Sequence, residues 1–423
     1  MLCKTSLEWK IIVALSTKPY KGTRDFYPED MRIRNWMFDI IRRSCESYGY
    51  EEYDAPVLEP LELYLSKTSE EVVNEQSYNF TDRGDRKVIM RPEMTPSVSR
   101  MVAGRRQELG YPLRLYSIAN FFRYERPQKG RLREFWQLNA DIFGVKGIEA
   151  DIEIIILADS IMKDFGAKPE MYEIRVNSRK LLNKKIEEAG IKTSLNEVLR
   201  TVDAFEKLEA TEFKEKLASQ VDNPSTLFDF LVSDGDSAEV KDLIEKCEKF
   251  GIKVKSTPTL ARGFDYYNDI VFEVFDTNPE NNRSMFGGGR YDGLIANFGV
   301  EPVPTVGFGM GDVTLANFLE SNGLVPDLKP STDVAILLIG DVYEQSLSIA
   351  EEFRKAGINA SLDYEDRKID KKIKSADKLK IPYVLFVGED ELNSSVFTLK
   401  NLTTGEETKD GIANLTKFVK AAK

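Results

Sequence analysis

Four arginines, Arg123, Arg126, Arg131 and Arg133, lie within eleven residues of the run Phe121-Phe122-Arg123-Tyr124-Glu125-Arg126-Pro127-Gln128-Lys129-Gly130-Arg131-Leu132-Arg133-Glu134-Phe135-Trp136-Gln137. A Pro/Gly turn between two apolar-aromatic runs reads as a strand, a basic loop and a second strand. Arginine offers a rigid, always-charged fork of donors suited to phosphate oxygens. A basic hairpin with aromatics at its base can hold a nucleoside triphosphate, its base on the ring and its phosphates on the forks. The plainer alternative is a solvated charged hairpin; Phe122, Phe135 and Trp136, mixed among the arginines, favour the first. Far along the chain, Ala261-Arg262-Gly263-Phe264-Asp265-Tyr266-Tyr267 sets another arginine beside a carboxylate and two phenols.

The elements that must position these residues follow from periodicity. Glu29–Tyr48 reads as an amphipathic helix ended by Gly49, then Tyr50–Pro60 as an extended segment broken by Pro56. Lys87–Pro96 reads as a strand running into a turn. Leu113–Tyr124 and Phe135–Phe143 are the strands around the basic loop, and Ile148–Phe165 is helical. From 178 to 250 helix follows helix with no strand signal between them: Ser178–Ala189, Ser194–Lys207, Thr211–Ser219, Pro224–Val232 and Ser237–Phe250. Strand alternation resumes at Val271–Phe275. The glycine clusters Gly287-Gly288-Gly289 and Gly307-Phe308-Gly309-Met310-Gly311 lack the spacing of phosphate loops; they predict close approach of strands to a ligand or to each other. Residues 326–332 read as a linker. Beyond it strands and helices alternate as in a small α/β domain with a mixed sheet, bearing a basic cluster at Arg367, Lys368, Lys371, Lys372, Lys374, Lys378 and Lys380.

With 423 residues, 42% hydrophobic and 30% charged, the chain predicts two or three globular domains. The N-terminal run Ile11–Leu15 is short and follows Glu8 and Lys10, a poor signal peptide, and no stretch reaches membrane-spanning length. Three scattered cysteines suggest neither disulfides nor a thiolate metal site, and a reducing, cytoplasmic location is expected. The net charge of −11 argues against nonspecific nucleic-acid coating without excluding a local basic groove. There is no histidine at all, which rules out an imidazole base, a Ser-His-Asp triad and imidazole metal ligands. Acid-base work falls to carboxylates, lysines, tyrosines or the substrate itself.

The two arginine-bearing stretches resemble the histidyl-tRNA synthetase family of class II aminoacyl-tRNA synthetases. Arg123–Gln137 looks like motif 2 with its loop, and Leu260–Tyr267 like the family's (L/V)-x-R-G-(L/F)-D-Y-Y motif. The likeness runs from Lys21-Gly22-Thr23-Arg24-Asp25 to the C-terminus. It implies an α+β fold: a class II antiparallel sheet flanked by helices over 1–325, a helical insertion at 178–250, and an anticodon-binding α/β domain over 333–423. The insertion either reaches over the tRNA acceptor stem or acts as a lid or stability element. The helix 29–48 with its following strand is similar to motif 1 and implies a homodimer. The implied activity is a histidine–tRNA ligase using ATP with Mg²⁺, L-histidine and tRNA-His, with no protein-held metal. A noncatalytic paralogue, the histidine-sensing regulatory subunit of ATP phosphoribosyltransferase, is the alternative. Carried over by position, Arg123 and Arg262 are catalytic at the α-phosphate, Arg262 standing where other class II enzymes put a metal ion. Arg131 and Phe135 join them in holding ATP. Glu93, Thr95 and Gln137 match ammonium-binding positions; Asp141, Tyr266, Tyr267 and Tyr291 match the side-chain pocket. Arg126, Gln128 and Lys129 match the loop that reads the tRNA acceptor.

Three positions depart from the family pattern: Asp141, Thr314, and Val313, which stands where motif 3 carries glutamate. Asp141 replaces a glutamate, a shorter arm. Thr314 stands where motif 3 carries arginine, so another cation (Arg131, Arg133 or Arg290) takes over or ATP binding weakens. Arg262 has a structural alternative, an ion pair with Asp265. If it stabilises the charged transition state, Arg262→Ala lowers turnover by roughly 100- to 1000-fold in ATP–pyrophosphate exchange; near-normal turnover would refute the role.

Overall fold

The computed structural model describes residues 15–65, 76–128, 130–233, 237–261, 266–281 and 283–422. The Ile11–Leu15 run is described only at Leu15, while Lys129 and Arg262, with its neighbour Asp265, lie outside the described residues. The chain divides into two compact units, one holding Trp36–Val325 and the other Pro326–Lys423 with Phe26–Asn35.

The larger unit is built on an eight-stranded sheet. Its strands are β1 (Glu51–Glu52), β5 (Leu113–Phe122), β6 (Glu134–Phe143), β7 (Tyr172–Ser178), β8 (Val254–Ser256), β9 (Ile270–Asp276), β10 (Ser284–Arg290) and β11 (Thr305–Gly311). β2 (Leu58–Pro60), β3 (Tyr78–Thr81) and β4 (Lys87–Met90) form a separate antiparallel sheet in the order β2-β4-β3. The main order is β1-β5-β6-β11-β10-β9-β7-β8, antiparallel except at its two edges. Sequence-adjacent β5 and β6 pair over their full length, from Leu113↔Phe143 to Phe122↔Glu134, so the arginine-rich run is the tip of the hairpin.

Helix Glu149–Asp164 buries its apolar stripe, Ile154, Ile155, Leu157, Ala158 and Ile161, and takes a bond to its Asp164 carboxylate from Ser44 of helix Pro28–Ser47. Between β7 and β8 the helices fall where the sequence puts them. Ser178, Ser194 and Ser237 each cap a helix by accepting from the backbone N–H three residues on. Four of these helices enclose their own core around Leu182, Val198, Phe213 and Leu227. The fifth, Ala238–Lys249, packs on helix Glu149–Asp164 and β8 instead. Helices Glu62–Leu65, Thr95–Gly104, Asp312–Ser321 and Glu389–Ser394 were not foreseen. The expected turn at Glu93–Pro96 leads directly into helix Thr95–Gly104, with Pro96 in its first turn.

The C-terminal unit has strands β12 (Val334–Leu338), β13 (Ala360–Asp363), β14 (Tyr383–Val387), β15 (Phe397–Asn401) and β16 (Glu407–Asp410), in the order β13-β12-β14-β15-β16. All of β12 is buried because helices cover both faces. Val334, Ile336 and Leu338 meet Phe353 and Leu415, while Ala335 and Leu337 meet Ala376. Lys372, expected in the basic cluster, is buried instead and donates to the carbonyls of Leu338 and Asp363.

Asp312 ties three distant segments of the larger unit together. It is 6% exposed, ion-paired to Arg24 at 2.6 Å, and accepts from the Trp136 N–H at 2.9 Å. Asp312→Ala leaves that N–H without its acceptor, at a cost of about 1–3 kcal/mol. It therefore lowers the urea midpoint of the larger unit, whereas Asp312→Asn, which keeps an acceptor, lowers it less; equal effects would disprove the assignment.

Candidate active site

β6 builds the floor. Strand alternation puts Gln137, Asn139 and Asp141 on one face. β11 runs beside it in the register Gly307↔Asp141 and Gly309↔Asn139, and β10 pairs Gly289↔Gly307 and Gly287↔Gly309. A Cβ on Gly307 would fall on the Asp141 carboxylate, and one on Gly309 on the Gln137 amide. The glycines thus let polar side chains from β6 lie flat across the neighbouring strands, which is the close approach expected of them.

The walls come from other segments. Glu93 and Thr95, both buried, stand at the entrance to helix Thr95–Gly104. Tyr266 donates to Glu93 Oε2 at 2.8 Å and stands 3.3 Å from Thr95 Oγ1. Behind them, the Tyr64 hydroxyl donates to the Glu93 carbonyl at 3.0 Å. Tyr266, Tyr267 and Tyr291 form an aromatic cluster with ring centroids 5.0 to 6.4 Å apart. Together these residues enclose a cavity of about 140 Å³, with Arg123 among its lining residues. All seven residues expected to bind the amino acid line it. Asn139 was missed, though it lies two residues from both Gln137 and Asp141 on the same strand; it accepts from the Gln137 amide at 2.8 Å.

Asp141 dominates the cavity's electrostatics. One oxygen accepts from Tyr291 at 2.5 Å; the other is buried with no hydrogen-bond partner. Burial raises its pKa to about 7, against a small opposing effect of the Tyr291 bond. Burial also raises the pKa of all three tyrosines, keeping them protonated as donors.

Arg123 ends β5. Its Nε donates to the Pro92 carbonyl at 2.9 Å, and its guanidinium carbon lies 5.3 Å from the Phe135 ring centre. Phe135 packs against the core cluster of Met94, Ala119 and Phe121, so it supports Arg123 and does not line the cavity. At the hairpin tip Gln128 and Arg131 exchange backbone hydrogen bonds, and Gly130 takes φ +83°, which suits glycine. Arg126 and Gln128 are exposed on this loop.

A second cavity, of about 540 Å³, adjoins along β10, from Gly287 in the first to Met285 and Ser284 in the second. It is lined by Gln128, Arg131, Arg175, Arg283 and Thr314, among others. Thr314 donates to the Met285 carbonyl at 2.7 Å. Of the three arginines expected to stand in for a motif 3 arginine, only Arg131 lines this cavity. Arg290 is corrected: it is buried, ion-paired to Asp151, and donates to the carbonyls of Val145 and Gly147. Arg133 is also committed, 3.8 Å over the Tyr124 ring and donating to the Glu125 carbonyl and the Tyr20 hydroxyl. Arg175 and Arg283 gave no sequence signal, since neither lies near a recognised motif. Among the described residues no cluster of three or more acidic, Cys or His side chains could hold a metal, and no helix is long and apolar enough to cross a membrane.

An antiparallel sheet carrying an arginine-tipped hairpin, a glycine-floored polar cavity and a separate C-terminal α/β unit define the architecture of a class II aminoacyl-tRNA synthetase. The profile "Histidyl-tRNA synthetase" matches residues 22–312, and "Anticodon binding domain" matches 333–422. The chain is 42% identical over 412 residues to the histidine–tRNA ligase of Leptospira biflexa, covering 92% of this chain and 94% of that one. A histidyl-tRNA synthetase crystal structure from Nostoc superposes with a TM-score of 0.80 at 22% identity, covering 97% of this chain and 100% of that one. One described as an ATP phosphoribosyltransferase regulatory subunit/histidyl-tRNA synthetase from Bacillus halodurans gives 0.72 at 21%, covering 88% and 99%. The chain belongs to the histidyl-tRNA synthetase family.

The pKa of Asp141 sets a pH signature. The unfolded carboxyl loses its proton near pH 4 and the native one near 7, so between these values the native state binds more protons and stability falls as pH rises. Asp141→Asn has no such penalty. Its melting temperature relative to the parent therefore rises between pH 5 and pH 8, by about 2–4 °C for each kcal/mol in a domain of this size; a pH-independent difference would overturn the assignment.

Proposed function

We propose that this chain is a histidine–tRNA ligase that activates L-histidine with ATP and transfers it to the 3′ end of tRNA-His. The observation that carries the reading is Asp141: a buried carboxylate with one oxygen unbonded within the protein, at the base of a cavity walled by phenols. Such a group suits an imidazole, which can donate to it. Glu93, Thr95 and Gln137 then meet the ammonium, and Arg123 meets the carboxylate. A site built on buried hydrogen-bonding groups rejects apolar analogues because they leave those groups unpaired.

In activation, an oxygen of the histidine carboxylate attacks the α-phosphorus of ATP and pyrophosphate leaves. Arg123 neutralises charge gathering on the α-phosphate, with Arg262 as its partner. Phe135, stacked beneath Arg123, holds that guanidinium in place. The larger cavity takes the rest of the nucleotide: Arg131 reaches the phosphates from the hairpin, and Arg283 supplies a cation on the side where Thr314 has none. Mg²⁺ arriving with ATP would supply further charge neutralisation. In transfer, a terminal ribose hydroxyl of the tRNA attacks the activated carbonyl and AMP leaves. Arg126 and Gln128, exposed at the hairpin tip, meet the acceptor end, and the family resemblance assigns Lys129 the same role.

A cytoplasmic homodimer fits the same reading. Val57, Leu58 and Phe80, on and beside the small β2-β4-β3 sheet, are apolar and exposed, as a surface awaiting a second copy would be.

The purified chain should catalyse Mg²⁺-dependent ATP–pyrophosphate exchange with histidine alone among the amino acids. Histidine binding without exchange would reject the ligase reading in favour of the histidine-sensing regulatory paralogue.

A further inference from the structure

The helical insertion touches the larger cavity through a single 3₁₀ turn, Phe205–Lys207. Phe205 packs on the insertion's own core, its ring centre 4.8 Å from that of Phe213, and Lys207 pairs with Asp203 at 3.7 Å. Glu206 crosses to the sheet instead: its carboxylate is 60% exposed and accepts from Nη1 of Arg175 on β7 at 2.8 Å. Arg175 itself is held from two other directions. Its Nε donates to Glu173 at 2.6 Å, and its guanidinium carbon lies 4.1 Å from the Phe275 ring centre. Glu173 is steadied in turn by Lys255 at 3.7 Å. A neighbour on its own strand and a ring on β9 therefore fix the plane of the fork, while the third partner is exposed and comes from a body with a separate core. The register across the sheet runs Gly309↔Gly287, Gly287↔Glu273 and Glu273↔Arg175. Gly287 borders the smaller cavity, so Arg175 stands two strand spacings beyond it, about 10 Å, in the cavity that also holds Arg131, Arg283 and Thr314.

We propose that Arg175 binds the terminal phosphates of ATP and that Glu206 is its resting partner, displaced when the nucleotide arrives. The proposal rests on the ligase reading and adds a residue to its nucleotide site. A planar, always-charged fork already fixed by Glu173 and Phe275 loses little freedom on taking a phosphate. A triphosphate brings more charge and more acceptor oxygens than one carboxylate, and an exposed ion pair such as Arg175–Glu206 is worth little. The exchange also unties the turn Phe205–Lys207 from β7. Nucleotide binding and the seat of the insertion are thereby coupled, and the coupling is reciprocal.

The test measures the KM for ATP in ATP–pyrophosphate exchange at saturating histidine for the parent, Arg175→Ala, Glu206→Gln and the double variant. Loss of a hydrogen-bonded cation from the phosphates raises the KM of Arg175→Ala by roughly 10- to 150-fold. Glu206→Gln removes the competitor and lowers the KM by up to about fivefold. The double variant matches Arg175→Ala, because a competitor has no effect once the group it competes for is gone. A purely structural ion pair predicts instead that both single variants shift the KM in the same direction. That result, or an unchanged KM in Glu206→Gln, overturns the proposal and leaves the ligase reading standing. Should Arg175→Ala fail to fold, the direction of the Glu206→Gln shift still decides. A parent without exchange overturns the ligase reading, and the proposal with it.

Discussion

Burying one carboxylate with a single hydrogen bond from the protein constrains everything around the smaller cavity. An Asp in water is solvated on both oxygens; Asp141 has traded that for one bond from Tyr291 and an enclosed space. Burying an ionised group costs several kcal/mol unless it is paired, and the protein answers by letting the group hold its proton more tightly. That solution requires a rigid surround. Asp141 sits mid-strand in β6, flanked by β5 and β11, and Tyr291 follows directly on β10. The ligand best matched to such a group is one that brings its own donor and can share a proton near neutrality, as imidazole does.

The arginines divide by task in a way their number alone does not reveal. Arg290 and Arg91 are interior residues held by carbonyls and carboxylates. Arg133 is clamped between Tyr20 and Tyr124 and stiffens the base of the hairpin. Arg123 is fixed by a carbonyl and a ring but still lines the cavity. Arg126 and Arg131 remain exposed at the tip. The hairpin thus grades from tightly packed at its root to exposed at its end.

Much of this was legible because local patterns and tertiary demands agreed. The β5–β6 hairpin, the serine-capped helices and the alternating C-terminal unit all carry periodicity that burial later rewards. The residues lining the small cavity were readable through their motifs. What escaped did so for physical reasons. Helix Thr95–Gly104 begins with Thr-Pro-Ser, which mimics a turn, and its apolar stripe is weak. Asn139 has an ordinary strand position and becomes functional only through its neighbours. Lys372 and Arg290 look like surface cations until the backbone carbonyls that satisfy them are known. Arg175 and Arg283 line the larger cavity only because sheet order brings β7 and β10 to it, which no local pattern encodes.

The glycine floor has an evolutionary consequence. A pocket lined by side chains can be enlarged by trimming one of them. A floor made of Gly287, Gly307 and Gly309 has nothing to trim: every substitution adds atoms, and those atoms fall on Asp141, Gln137 or the neighbouring backbone. On that side the cavity can only shrink. Drift there can abolish the site but cannot widen it toward a bulkier amino acid, so along that wall fidelity is guarded by the backbone itself.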